Sequence, residues 1–251
     1  MPLSVVVITR DAAAQLEGCL RSVAFADELL VVDSGSTDQT LTIARNLGAR
    51  ILQKEWLGFG RQKQFAVEAA ANDWVLCLDA DEFLSEALKA AIIAELVSPR
   101  ATAFVMARCN RFLGRWLRHG EGYPDLSLRL FHRNHARWSE DTVHESVRSD
   151  QLPIRLMGDL MHDSADSLDR YLEKQNRYTS LQAAQLHLQG RSAGVAHLLF
   201  SPLLRFLKFY LLRLGFLDGI PGFLHISIGC MNSFTKYAKL LSLAARTGKQ
   251  P

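Results

Sequence analysis

Three short apolar runs, each ending in small polar and acidic residues and each followed by a helical pattern, constrain this chain more than any other feature. Leu3 to Thr9 runs into Arg10-Asp11, Glu28 to Asp33 into Ser34-Gly35-Ser36-Thr37-Asp38, and Trp74 to Leu78 into Asp79-Ala80-Asp81-Glu82. Short apolar runs bounded by turn residues fit strands covered on both faces. Helical patterns occupy Ala12 to Val23, Thr37 to Leu47, Arg61 to Ala71 and Ser85 to Val97, with another short strand at Arg50 to Gln53. This alternation predicts a mainly parallel sheet flanked by helices. Past residue 100 the rhythm changes. Ala103 to Arg108, Ser127 to Phe131 and Thr142 to Val147 read as strands between long loops, so the rest of the sheet is expected to be mixed or antiparallel; from Ser167 onward the chain reads as helix.

A chain of 251 residues, 48% hydrophobic and 22% charged, can bury a full-sized core, which excludes disorder, collagen-like repeats and a long coiled coil. Cys19, Cys77, Cys109 and Cys230 are scattered with no C-x-x-C pair, so no zinc site or disulfide framework is expected and the chemistry reads as cytosolic. The run Val5 to Ile8 is too short for a signal-peptide core or a membrane span. Charge is uneven: residues 1–190 carry 21 Lys and Arg against 25 acidic residues, whereas residues 191–251 carry eight against Asp218 alone. Those cations lie among Leu and Phe rather than in exposed basic clusters, which fits an anionic membrane better than nucleic acid.

In an open α/β sheet, ligands bind beyond the carboxyl ends of the strands. The three polar clusters therefore form one rim, although each alone could be an ordinary helix-capping turn. In Asp79-Ala80-Asp81, alternate residues of extended chain point the same way, so both carboxylates can face one space while Ala80 faces the packing side. Such a pair is a partial shell for a hard divalent cation that takes its other ligands from a diphosphate. Neither G-x-G-x-x-G nor G-x-x-x-x-G-K-[ST] occurs, which disfavours dinucleotide and P-loop sites. Gly58-Phe59-Gly60 reads as a loop before the next helix, where Arg61 and Lys63 either reach a phosphate or are solvated.

Together, Val5 to Thr9, Val31 to Asp38 and Trp74 to Glu82 resemble the inverting family 2 glycosyltransferases of GT-A fold. Tyr123-Pro124-Asp125 followed by Leu128 to Phe131, Thr142-Val143-His144-Glu145 and Gly215 to Gly219 extend the resemblance, over nearly the whole chain, to the lipopolysaccharide or lipooligosaccharide core β-1,4-glucosyltransferase subgroup. Many members have two consecutive aspartates where this chain has Asp33-Ser34, which removes the second acidic contact expected toward the nucleotide base. The resemblance implies that Thr9 and Asp33 hold the nucleoside, that Asp79 lies near ribose or metal, and that Asp81 binds Mg²⁺ or Mn²⁺ bridging the donor diphosphate. An acceptor hydroxyl must also lose its proton to a general base. Glu145 is the first candidate and Asp141 the second, with His144 a further metal or phosphate ligand; the alternative is a salt-bridged loop with Arg137 or Arg148. Asp125 either positions the acceptor or caps a turn.

On a helix, Leu203 to Leu214 places Arg205, Lys208 and Arg213 on one arc and Leu203, Leu207, Tyr210, Leu211 and Leu214 opposite, the pattern of an interfacial helix. The expected organisation is a GT-A α/β domain over residues 1–165 and a helical, membrane-associating region over 166–251. The expected reaction is metal-dependent transfer of a hexose, glucose from UDP-glucose, to a lipid-linked core oligosaccharide at the cytoplasmic face of the inner membrane. The alternatives are another glycan or polyprenyl acceptor, or an inactive membrane-bound scaffold of the same fold.

Overall fold

The computed structural model describes residues 1–139, 145–164 and 167–246. The chain divides into two compact units, one of Met1–Cys109 with Asp125–Asp163, the other of Asn110–Pro124 with the chain from Ser164 onward.

In the first unit the chain runs β1 (Leu3–Thr9), α1 (Ala13–Ser22), β2 (Glu28–Asp33), α2 (Thr40–Asn46), β3 (Arg50–Gln53), α3 (Phe59–Ala69), β4 (Trp74–Asp79), β5 (Glu82–Leu84) and α4 (Glu86–Val97). β6 (Ala103–Phe112) leads out to β7 (Arg115–Trp116), and the chain returns as β8 (Asp125–His132), β9 (Ala136–Trp138), β10 (Val147–Ser149) and β11 (Ile154–His162). Among the described residues the main sheet has the order β3-β2-β1-β4-β8-β6-β11-β5. β3, β2, β1 and β4 are parallel, and the antiparallel β8 and β6 follow, as the change of rhythm implied.

Every residue of β1 is buried, and its alternate side chains enter two layers. Val5 and Val7 pack with Leu16 and Leu20 of α1 and Leu88 and Ile92 of α4, while Val6 and Ile8 pack with Ala66 and Val67 of α3 and with Trp138. Covering both faces explains why these strands read as continuous apolar runs. Register sets the site: Thr9 pairs with Asp33 and Ile8 with Asp79, so the three strands end side by side.

Half of the expected strand Thr142 to Val147 lies outside the described residues, and Asp141 and His144 lie outside them altogether. β11 has no counterpart in the sequence reading. It contains Gly158 at φ 95°, where a side chain would collide with the backbone of Leu88, so the break in alternation reflects close contact with α4.

The second unit holds α5 (Leu168–Leu188), α6 (Val195–Phe206), a π-helical turn (Leu207–Leu212), a 3-10 turn (Gly215–Asp218) and α7 (Gly219–Arg246). The cationic arc expected to face outward is corrected at Arg205, whose Nε donates to Glu121 Oε2 at 3.0 Å and whose Nη1 donates to Ser233 Oγ at 3.2 Å. Lys208 and Arg213 are exposed. Leu199, Phe200, Leu203 and Leu204 are each more than half exposed, so α6 turns Arg205 toward its own unit and leaves much of its apolar surface uncovered.

Candidate active site

At the joint end of β1 and β2, the Thr9 hydroxyl donates to Asp33 Oδ1 at 3.1 Å. Asp33 is fully buried, and its Oδ2 accepts the backbone N–H groups of Gly35 and Ser36, each at 3.0 Å. The two loops are laced together: Thr37 N donates to Asp11 Oδ1 at 2.8 Å, Ala13 N to Asp38 Oδ2 at 3.1 Å, and Asp11 N to Ser36 Oγ at 2.9 Å. Asp33 thus shapes the rim loop, with both oxygens satisfied by protein donors.

At the end of β4 the rim is densely charged. Asp79 lies 2.9 Å from Lys63 Nζ and 2.9 Å from Arg129 Nη2. Arg129 also donates to Glu82 Oε1 at 2.6 Å, and Glu82 Oε2 accepts the backbone N–H of Asp79 at 3.0 Å. Arg108 lies 3.4 Å from Glu82 and donates through Nε and Nη2 to Asp125 Oδ2 at 2.8 and 2.6 Å. Charges therefore alternate continuously from Lys63 to Asp125. Burial favours a neutral Asp79, but Arg129 and Lys63 outweigh it and hold this carboxyl well below the usual carboxylate range. Burial equally disfavours charge on Arg129, yet Glu82 and Asp79 raise its pKa. Removing one member of such a network strands a buried charge, at a cost of about 3–5 kcal/mol.

Lys63 is 5% exposed, so of the two readings the sequence left open for it, a phosphate-reaching or a solvated cation, the second does not hold. Its Nζ lies 4.8 Å from the Trp138 ring centroid and 3.8 Å from Glu145 Oε1. Lys63 thus joins Asp79 to Glu145, residues 66 positions apart in the sequence. Gly60 permits this approach: a side chain there would collide with the Ser139 carbonyl oxygen and meet Glu145 Cβ at 3.3 Å.

Asp81 stands apart from the network. Ala80 and Asp81 form the turn between β4 and β5 rather than extended chain, so the two carboxylates part: Ala80 packs on the core, and Asp81 Oδ2 lies 3.3 Å from His162 Nε2. The pairing of β5 with β11 sets His162 opposite Glu82, which brings the imidazole to the rim. One carboxylate and one imidazole suit Mn²⁺ and can serve Mg²⁺ when phosphate oxygens and water complete the shell. Among the described residues no group of three or more His, Cys, Asp and Glu converges.

The sequence by itself assigns no role to His162, Arg129, Glu82 or Arg108. Arg129 carried a signal, since it lies inside the apolar run Leu128 to Phe131 and such a charge needs buried partners. His162 carries little, because Gly158 breaks the apolar alternation of the strand that ends at it.

Residues 4–150 match the family described as Glycosyl transferase family 2. The chain is 31% identical over 261 residues to an uncharacterised glycosyltransferase of Rickettsia prowazekii, covering 98% of this chain and 88% of that one. It is 29% identical over 249 residues to the lipopolysaccharide core biosynthesis glycosyltransferase LpsC of Rhizobium meliloti, covering 96% and 92%. In fold it is similar to S. aureus TarS 1-349 in complex with UDP-GlcNAc, with a TM-score of 0.50 and 16% identity over 99% of this chain and 93% of that one. The strand ends, their acidic rim and these likenesses agree: this chain belongs to glycosyl transferase family 2.

Proposed function

We propose that this chain transfers glucose from UDP-glucose, with inversion, to a sugar of a lipopolysaccharide-core-type, lipid-linked acceptor. The observation that carries this reading is the convergence of Glu145 and Asp79 on Lys63, at the strand-end rim that also carries the Asp81 and His162 pair. Thr9 and the loop that Asp33 shapes, at the joint end of β1 and β2, would hold the nucleoside. Asp81 and His162 would hold Mg²⁺ or Mn²⁺, which when bound offsets negative charge on the leaving diphosphate. Glu145 accepts the proton of the acceptor hydroxyl, and the freed oxygen lone pair attacks the anomeric carbon from the face opposite the diphosphate. The bond from that carbon to the diphosphate oxygen breaks, and its electron pair leaves with UDP. Arg129 and Glu82 fix Asp79, and Arg108 fixes Asp125 at the other end of the network, where it would position the acceptor. The expected product from UDP-glucose and core oligosaccharide is a β-glucoside, identified by the large anomeric proton coupling in its NMR spectrum. An α-glucoside, or transfer from another UDP-hexose in preference to UDP-glucose, would refute the stated donor and stereochemistry.

We further propose that the region from residue 166 onward seats the protein on the cytoplasmic face of the inner membrane, by insertion more than by charge. Val195–Leu212 is long and apolar enough to cross a membrane by length and composition, and none of it is buried. The helix changes to a π-helical turn at Leu207 and the chain enters α7 through Gly215–Asp218, which suits a hairpin entering one leaflet. Burying a Leu or Phe contributes about 1.5–3 kcal/mol, against about 1 kcal/mol for a cation near an anionic surface. The full chain should therefore sediment with anionic vesicles and stay bound at high salt. Leu199, Phe200, Leu203 and Leu204 changed together to Ser should release it, whereas Lys208→Gln with Arg213→Gln should remove only the salt-sensitive part. Protein left in the supernatant at low salt would refute this seating.

A further inference from the structure

The loop between β3 and α3 and the first residue of α3 present two large aromatic side chains to solvent. Trp56 is 46% and Phe59 56% exposed, and their rings meet edge to face with centroids 4.8 Å apart. Adjoining exposed rings call for an explanation that single exposed apolar residues do not.

The base of this loop is fixed. Gln62 is fully buried; its Oε1 accepts Leu57 N–H at 3.3 Å, and its Nε2 donates to Ser34 Oγ at 3.0 Å and to the Lys54 carbonyl at 3.5 Å. The backbone that carries the rings is thus tied down at Lys54 and Leu57, which lowers the ordering cost of binding. They are also continuous with the reacting groups: the Phe59 ring centroid lies 5.8 Å from Lys63 Nζ, and the next residue, Gly60, packs directly on Glu145.

We infer that Trp56 and Phe59 are the seat for the acceptor sugar, with the apolar C–H face of its ring laid on the aromatic surface. This rests on the transferase reading above, because a base at Glu145 works only within hydrogen-bond reach of the acceptor hydroxyl. A neutral sugar offers no charge to Lys63 or Arg129, so its hold must come from hydrogen bonds at its edge and apolar contact on its face. Phe59, which adjoins Gly60 against Glu145, and Trp56 beside it supply that face, on a loop that Gln62 also ties to Ser34, next to Asp33 on the nucleoside side.

The test uses the full chain and a defined probe, the water-soluble core oligosaccharide released by mild acid from lipopolysaccharide of cells lacking this protein. Its dissociation constant is read by saturation-transfer NMR, and that of UDP with Mn²⁺ by calorimetry. Trp56→Ala and Phe59→Ala should each weaken oligosaccharide binding about tenfold or more and leave UDP binding unchanged. Trp56→Phe should restore most of the loss, and Leu152→Ala, an exposed apolar control, should change nothing. The seat is refuted if oligosaccharide affinity is unchanged, if UDP affinity falls in step because a base occupies the rings, or if only vesicle binding falls. Binding is read without turnover, so failure of the wild-type chain to transfer sugar would refute the transferase reading while the oligosaccharide affinities still decide the seat.

Discussion

Changing Asp81 to Asn is expected to reduce transfer by about 10³-fold or more, because loss of several kcal/mol of charge stabilisation on the leaving diphosphate is multiplied tenfold for each ~1.4 kcal/mol. The fold should survive. The Asp81 side chain is 31% exposed and its one described ion-pair partner is His162, so the substitution strands no buried charge. Asp79 differs, since its carboxylate is bound by Lys63 and Arg129. Asp79→Asn should therefore lower thermal stability as well as activity, and a thermal melt beside the assay separates the two aspartates. Near-normal turnover in Asp81→Asn at saturating Mn²⁺ would remove it from the reaction.

Glu145→Gln is expected to lower kcat by about 10²-fold or more while donor affinity stays near wild type, because proton removal belongs to the chemical step. Glutamine keeps the size of the side chain and its packing on Gly60, but cannot accept the proton as a carboxylate does. Asp141→Asn should be much milder. Steady-state rates of both variants with matched UDP titrations give the ranking. A larger loss in Asp141→Asn would move the base there, and a large loss of UDP affinity in Glu145→Gln would place Glu145 against the donor.

The parallel half of the sheet is legible because β1, β2 and β4 are buried along most of their length and so repeat the same apolar signal. Beyond β6 the signal weakened where local rules gave way to tertiary contact: Gly158 interrupts β11 to admit α4, and His162 was lost with that strand. Asp79 and Asp81 could be located from spacing and position alone. Their division into a network member and a rim residue could not, because it is set by Lys63 and Arg129 on α3 and β8 and by His162 on β11. The same limit misdirected Arg205. Helical period places it on one arc, but its acidic partner Glu121 lies 84 positions away and decides which way that arc faces.

The central claim is a nucleotide-sugar site completed by a cation at Asp81. Its most direct test is the melting temperature of the full chain with UDP, in Mn²⁺ and in chelator, for wild type and Asp81→Asn. At a hundredfold excess over the dissociation constant, UDP should raise the wild-type midpoint in Mn²⁺ by roughly 5–10 °C. It should do little in chelator or with Asp81→Asn under either condition. An equal UDP-dependent rise with and without Mn²⁺, or an undiminished rise in Asp81→Asn, would contradict the account.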